Sequence, residues 1–335
     1  MKVLYICNYK PGVGGISGQV EILQRKLRSE GHEAEIFNTK ASLWKRLRMI
    51  PKLYSQAKEF DVMHIHCCSG WGFLPAVIGI SVGKRLGKRI VLTYHGGGGE
   101  TFFDNHPRLV RRYLLRTDVN IVLSGFLAKV FVQHGIPFKI IPNIIELNDK
   151  CFQERSIIRP DFICIRAHEV LYNIPCILRA LRTVQEVIPE ASLVLVGDGS
   201  QHEGLVQKVN DMGLHNVTFT GRVDNRMIYQ YLDKADVMLS APIVDNMPVS
   251  LIEAMNAGLL VLSSNVGGVP YMIDDGVNGL LFECNNDAEL AEKMLWAMRH
   301  QVEVKGIVEN ARCRVKQYQW INVKDQLYLS YGIHS

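Results

Sequence analysis

No stretch of the 335-residue chain approaches the roughly 18 consecutive apolar residues of a membrane-crossing helix. The nearest run, 71–83, is interrupted by Pro75 and ends against Lys84 and Arg85. A secretory leader is not expected either, because the apolar run Val3–Cys7 is short and gives way to Asn8, Tyr9 and Lys10. The eight cysteines have no framework spacing and no C-x-x-C pair, which argues against a disulfide scaffold or a zinc site. No D-x-D pair stands at a plausible strand end, so no metal and no other cofactor is expected. Internal repeats are absent. With 47% hydrophobic and 21% charged residues, disordered, collagen-like and coiled-coil chains are excluded. A reduced, cytoplasmic, two-domain globular protein is the simplest expectation.

Charge is present but segregated. Residues 1–145 carry 21 Lys and Arg against 9 Asp and Glu, a net +12, while the remainder carries a net −7. Short apolar runs alternate with helical spacing throughout. Val3–Cys7, Glu33–Phe37, Val62–His66, Arg89–Thr93 and Val119–Leu123 read as strands of one half. Phe162–Ile165, Leu193–Val196, Val217–Phe219, Val237–Leu239, Leu260–Leu262 and Leu280–Phe282 read as strands of the other. Such runs separated by helices predict parallel sheets covered on both faces. The fold class is therefore α/β, with two Rossmann-like doubly wound domains. The expected division is 1–146, a linker over 147–160, a second domain over 161–317, and a C-terminal helix over 318–335 packing back on the first domain. Ligands of such sheets bind beyond the carboxyl ends of the strands, so the strand-end loops are where chemistry is expected.

Several of those loops carry suitable residues. Gly14 and Gly15 lie between the first strand and the first helix, where backbone N–H groups can approach a phosphate. A dinucleotide fingerprint fails there: Ser17 stands where the third glycine belongs, and no acid follows the second strand. The competing reading is a turn that needs glycine only for its backbone. His95 precedes four consecutive glycines at another strand end; a satisfied structural histidine is the alternative. The segment Asp245, Asn246, Met247, Pro248, Val249, Ser250 leads into a helix whose free N–H groups can hold a diphosphate. Glu253, more than one turn inside that helix, can accept two hydrogen bonds from a vicinal diol. Asp245, eight residues earlier, can bind hydroxyls or simply complement the helix dipole. Arg166 ends the second domain's first strand and suits phosphate oxygens. Arg222 and Val223 lie on the same expected rim.

Taken in order, these segments resemble the family 4 retaining glycosyltransferases of the GT-B fold. The resemblance covers nearly the whole chain and is strongest over 193–282. In the first half Gly14-Gly15-Ile16, Asp61-Val-Met-His-Ile-His66, Thr93-Tyr-His-Gly96 and Ile141-Pro-Asn-Ile144 carry it. It implies two domains facing each other across a cleft and a nucleotide-diphosphate sugar as co-substrate, without a metal. It further implies that Glu253 binds the donor ribose and that Asp245 takes the place of a Glu contacting the transferred sugar. Arg166 matches a diphosphate Arg, Arg222 and Val223 a turn near the base, Asn246 to Ser250 a donor loop, and His95 a cleft His. The Lys that normally follows the Arg is replaced by the segment Glu169–Asn173, one cation fewer at the diphosphate. A catalytically weak sugar-nucleotide-binding protein of the same fold, a GT-B nucleotide-sugar epimerase and a dehydrogenase are the alternatives.

The basic half then suggests an acceptor side. Residues 40–58 hold six basic residues, Lys45, Arg46, Arg48 and Lys52 among them, and no acid. With Leu43, Trp44, Leu47, Ile50 and Leu53 they form an amphipathic stripe that Pro51 is expected to interrupt. Basic amphipathic helices lie on anionic membranes; a helix packed on its own sheet is the competing reading. The expected partners are a sugar donor, a sugar or lipid-linked acceptor of a polysaccharide or glycolipid pathway, and the inner face of the plasma membrane. Nucleic acid is not expected, because aromatic residues are sparse among the basic ones.

Overall fold

Strands buried on both faces need apolar side chains throughout, and the runs identified above fold in that way. The computed structural model describes residues 1–12, 14–146 and 152–333. It divides into two units, residues 1–146 with 318–335, and residues 147–317.

The first unit contains β1 (Lys2–Cys7), β2 (Glu33–Asn38), β3 (Val62–Cys67), β4 (Arg89–Tyr94), β5 (Val119–Val122) and β6 (Lys139–Ile140). They form a parallel sheet in the order β2-β1-β3-β4-β5-β6. Its helices are α1 (Ile16–Ser29), α2 (Leu43–Ala57), α3 (Leu74–Leu86), α4 (Gly99–Asn105), α5 (Pro107–Leu114) and α6 (Gly125–Gln133). The order of the sheet reverses between β1 and β3, so the glycine loop after β1 sits at a topological switch point.

Alternate residues serve opposite faces of this sheet. Leu4, Ile6, Met63, Ile65, Ile90 and Leu92 pack into one cluster, whereas Val3, Tyr5, Val62 and Val91 belong to another. The second cluster is completed by Trp320, Val323, Leu327 and Tyr331 from the last helix of the chain. Each fully buried apolar side chain of this kind contributes about 1.5–3 kcal/mol. The helix is also bonded in place: Tyr331 Oη lies 2.8 Å from His64 Nδ1 and 3.2 Å from Tyr5 Oη.

In the second unit the strands are β7 (Asp161–Ile165), β8 (Ser192–Val196), β9 (Val217–Gly221), β10 (Val237–Ser240), β11 (Leu260–Ser264) and β12 (Leu280–Phe282). Their order is β12-β11-β10-β7-β8-β9, again parallel. The helices are α7 (Ile174–Gln185), α8 (His202–Asp211), α9 (Ile228–Leu232), α10 (Val249–Asn256), α11 (Asp287–Arg299) and α12 (Gln301–Val315); α13 (Trp320–Tyr331) returns to the first unit. The switch point of this sheet lies between β7 and β10. Two α/β units of Rossmann-like topology establish the expected fold class.

Three details differ from the sequence reading. Pro51 lies inside α2 without ending it. Helix α12 and the two-residue β6 were not anticipated. The linker expected over 147–160 is only partly described, since residues 147–151 lie outside the described residues, and its second half is pinned to the second unit. There Arg155 pairs with the buried Asp236 at 2.8 Å and donates to the carbonyls of Leu232, Ala235 and Ala257.

Candidate functional site

Because β7 and β10 flank the switch point, the loops leaving them converge even though they are far apart in sequence. Arg166 leaves β7 and Asp245 follows β10. Arg166 Nη1 lies 3.0 Å from Asp245 Oδ2, and both side chains are largely buried. The same guanidinium donates to Ser240 Oγ at 3.0 and 3.3 Å. Its flat face lies over the Tyr172 ring, 5.1 Å from the centroid. Tyr172 belongs to the segment that stands in place of the family's Lys, so an aromatic face supports Arg166 where that second cation is missing. Two glycines let the loops come this close. A Cβ on Gly197 would sit 1.9 Å from the Arg166 carbonyl oxygen, and one on Gly267 would sit 2.0 Å from that of Asp245. Both also have positive φ, at +144° and +56°.

Asp245 is fixed further by accepting from the Asn246 N–H at 2.8 Å. Asn246 and Met247 are buried, and Pro248 is the residue before the first turn of α10 rather than within it. No side chain caps that helix. The N–H groups of Val249 and Ser250 therefore lack an intrahelical partner, and the Ser250 Oγ is buried without a hydrogen bond. Glu253 follows on the same helix, half-buried and with no hydrogen bond or ion pair to the described residues, and burial pushes its carboxyl up to about 7. Arg222 and Val223 follow β9, two strands from β7 and hence about 10 Å away across the sheet.

The first unit holds the other predicted residues. Gly14 and Gly15 are exposed and lead into α1, which has no side-chain cap and no acid in its first turn. His95 follows β4 and is joined to the neighbouring strand by its N–H donating to the Cys67 carbonyl at 2.8 Å. Its Nε2 lies 2.9 Å from His66 Nδ1. Burial depresses both imidazoles, His95 to about 3. His66 was not anticipated as a site residue; the Asp61–His66 segment signalled it, but the pairing follows from the β3–β4 register. Two of the four glycines after His95 have packing reasons, since a Cβ on Gly96 would crowd Ser69 and one on Gly99 would crowd Leu127. Helix α4 already begins at Gly99.

On the basic surface Arg48, Lys52, Arg108, Arg111, Arg112 and Arg116 are exposed. The side chains of residues 43–47, including Lys45 and Arg46, lie outside the described residues. Leu53 is fully buried and Ile50 packs on the core, so this part of the α2 stripe serves the first unit's interior. No helix among the described residues is long and apolar enough to cross a membrane. No group of three or more His, Cys, Asp and Glu among them is placed to hold a metal.

Comparison with known proteins follows the same division. The profile of the glycosyl transferases group 1 matches residues 159–314, and that of glycosyltransferase family 4 matches residues 36–149. N-acetyl-alpha-D-glucosaminyl L-malate synthase of Bacillus anthracis is 22% identical, over 90% of this chain and 89% of its own. Phosphatidyl-myo-inositol mannosyltransferase of Mycolicibacterium smegmatis is 23% identical, over 99% and 93%. Among solved structures, Anabaena HepE in complex with UDP-glucose superimposes with a TM-score of 0.79 at 18% identity, covering 99% of both chains. Sucrose-phosphate synthase from Thermosynechococcus elongatus gives 0.80 at 17% identity, over 99% of this chain and 98% of that one. The two family profiles, together with the twin Rossmann-like units, identify a GT-B glycosyltransferase that uses nucleotide sugars. The chain belongs to glycosyltransferase family 4.

Proposed function

We propose that the protein is a retaining, metal-independent transferase that moves a sugar from a nucleotide-diphosphate donor to a lipid-linked acceptor at an anionic membrane surface. The observation that carries the donor assignment is Glu253. A partly desolvated carboxylate with no partner among the described residues is disfavoured, and a ribose diol would supply two donors. In the second unit Arg166 and the uncapped start of α10 would take the diphosphate and Asp245 would meet the transferred sugar; in the first unit His95 is the candidate sugar contact. The bond from the anomeric carbon to the β-phosphate oxygen breaks and its electron pair stays on that oxygen. The acceptor hydroxyl adds on the same face and its proton passes to the leaving phosphate. Fixed positive charge aimed at that oxygen lowers the barrier without a metal.

UDP is the first nucleotide to test, since HepE is described in complex with UDP-glucose. The lipid-linked acceptor is supported by the exposed basic residues of α2 and α5 and by the phosphatidyl-myo-inositol named for one relative. The test is incubation with a panel of UDP-sugars and phospholipid extracts, with UDP release and product configuration as readouts. Retention with a lipid product supports the proposal; inversion, or no UDP release from any donor, overturns it.

A further inference from the structure

The pair formed by His66 and His95 fixes more than a ring position. Two neutral imidazoles joined by one hydrogen bond share a single proton between them, and each keeps its second proton state as a consequence. Either His66 donates from Nδ1, so His66 Nε2 is bare and His95 carries its hydrogen on Nδ1. Or His95 donates from Nε2, so His66 carries its hydrogen on Nε2 and His95 Nδ1 is bare. The surroundings of His66 distinguish these states. His66 is 2% exposed, and its Nε2 is buried with no hydrogen-bond partner. The second state would therefore strand an N–H donor in the interior. Orphaned buried N–H groups are rarer than under-satisfied acceptors, so the first state is favoured.

Neighbouring rings leave no room for a third state in which one imidazole is charged. His64 lies tilted against His66 with 4.3 Å between centroids, and its nitrogens are already engaged, Nδ1 by Tyr331 Oη and Nε2 by Thr93 Oγ1, both at 2.8 Å. His66 and His95 are themselves stacked at 5.1 Å. Burial holds both rings neutral, and at His66 the adjacent His64 and His95 imidazoles add to it.

We infer that His66 is a positioning residue that locks His95 as its Nδ1–H tautomer, so that His95 offers a neutral hydrogen-bond donor, and not a base, to an oxygen of the transferred sugar. The second half of this statement rests on the proposed placement of His95 at the sugar; the first half does not. His95 then polarises or orients a sugar oxygen and takes no proton from the acceptor. Its nitrogen opposite the His66 contact makes no protein hydrogen bond among the described residues, which leaves it for that task.

The experiment uses the full chain labelled with 15N-histidine and two-bond 1H–15N correlation spectra, with His95 identified by its absence from the His95→Gln spectrum. A protonated Nδ1 and a bare Nε2 on His95 are expected; a protonated Nε2 overturns the inference without recourse to any variant. His66→Asn retains an amide donor near the Nδ1 position and should keep the tautomer, with kcat/KM for the UDP-sugar within about threefold. His66→Phe fills the space without a donor, so the tautomer preference should vanish and kcat/KM should fall about tenfold, the worth of one hydrogen bond. UDP affinity should stay unchanged in both. An Asn variant as damaged as the Phe variant overturns the positioning role. The expected tautomer together with an undiminished His66→Phe turnover supports the lock but removes His95 from the sugar.

Discussion

Arg166 and Asp245, 79 positions apart in the chain, form an ion pair at 3.0 Å beyond the carboxyl ends of β7 and β10, the paired strands that flank the switch point of the second sheet. That pair occupies the cation on which diphosphate binding is proposed to depend, so Asp245 and the donor compete for it. Asp245→Asn should tighten UDP binding by about threefold to tenfold, because a charge-assisted contact is worth about 1.5–3 kcal/mol and only part of it is exchanged. Turnover should fall, since the proposed sugar contact is weakened. Isothermal titration and a UDP-release assay read the two effects; weaker UDP binding would show that Asp245 does not compete.

With Glu253 at the ribose as proposed, donor binding should depend on pH. A ribose diol favours the ionised carboxylate, whose formation in the free protein is delayed to about pH 7. UDP affinity should therefore rise as pH increases from 5.5 through 7 and then level, whereas Glu253→Gln should bind about tenfold more weakly at pH 8 with this rise removed. Titration calorimetry at several pH values is the check.

The same carboxyl affects stability in the opposite sense. Its folded value lies above the ordinary value of 4.5, so the folded state holds a proton longer than the unfolded chain and the charged form is the disfavoured one. Stability from this group is complete below about 4.5 and is lost as pH rises through 7. Glu253→Gln should raise the thermal midpoint at pH 8 and leave it unchanged at pH 4. Equal midpoints at pH 8 would mean that the carboxylate is solvated.

Chelation offers a direct probe of leaving-group chemistry. Turnover should survive excess EDTA, because Arg166 and the start of α10 supply fixed positive charge. Loss of activity restored by magnesium or manganese would reassign that role to a metal.

Membrane attachment should be electrostatic. Each basic residue beside an anionic leaflet contributes about 1 kcal/mol. Co-sedimentation with anionic vesicles should appear at low salt, weaken as salt rises and be absent with zwitterionic lipid. Replacing Lys45, Arg46, Arg48 and Lys52 by Gln should abolish it and spare donor hydrolysis. A wild type that ignores anionic vesicles would point to a soluble acceptor.

Much of this architecture was legible because parallel strands are buried on both faces. Val62–Cys67 and Leu260–Ser264 are buried at every position, and such runs stand out between helices. Strand β6 has only two residues, both exposed, and so has no pattern to read. Helix α12 was obscured by polar residues and by Val302, which is 83% exposed. For the site, local features were visible in the loops themselves: the helix start at Val249, the glycine run, the lone Arg166. Convergence was not. That Tyr172 supports Arg166, or that His66 meets His95, depends on loop paths and strand register, and spacing along the chain carries no trace of either.

Helix α13 closes the first unit with residues that are made after the whole of the second unit, and this gives the protein an order of synthesis. The second unit, residues 147–317, is complete while Trp320, Val323, Leu327 and Tyr331 are still unmade. Until they emerge, one apolar face of the first sheet, Val3, Tyr5 and Val91 among it, lacks their cover, a state prone to aggregation during synthesis. A premature stop at codon 320 would thus damage residues 1–146 more than residues 147–317.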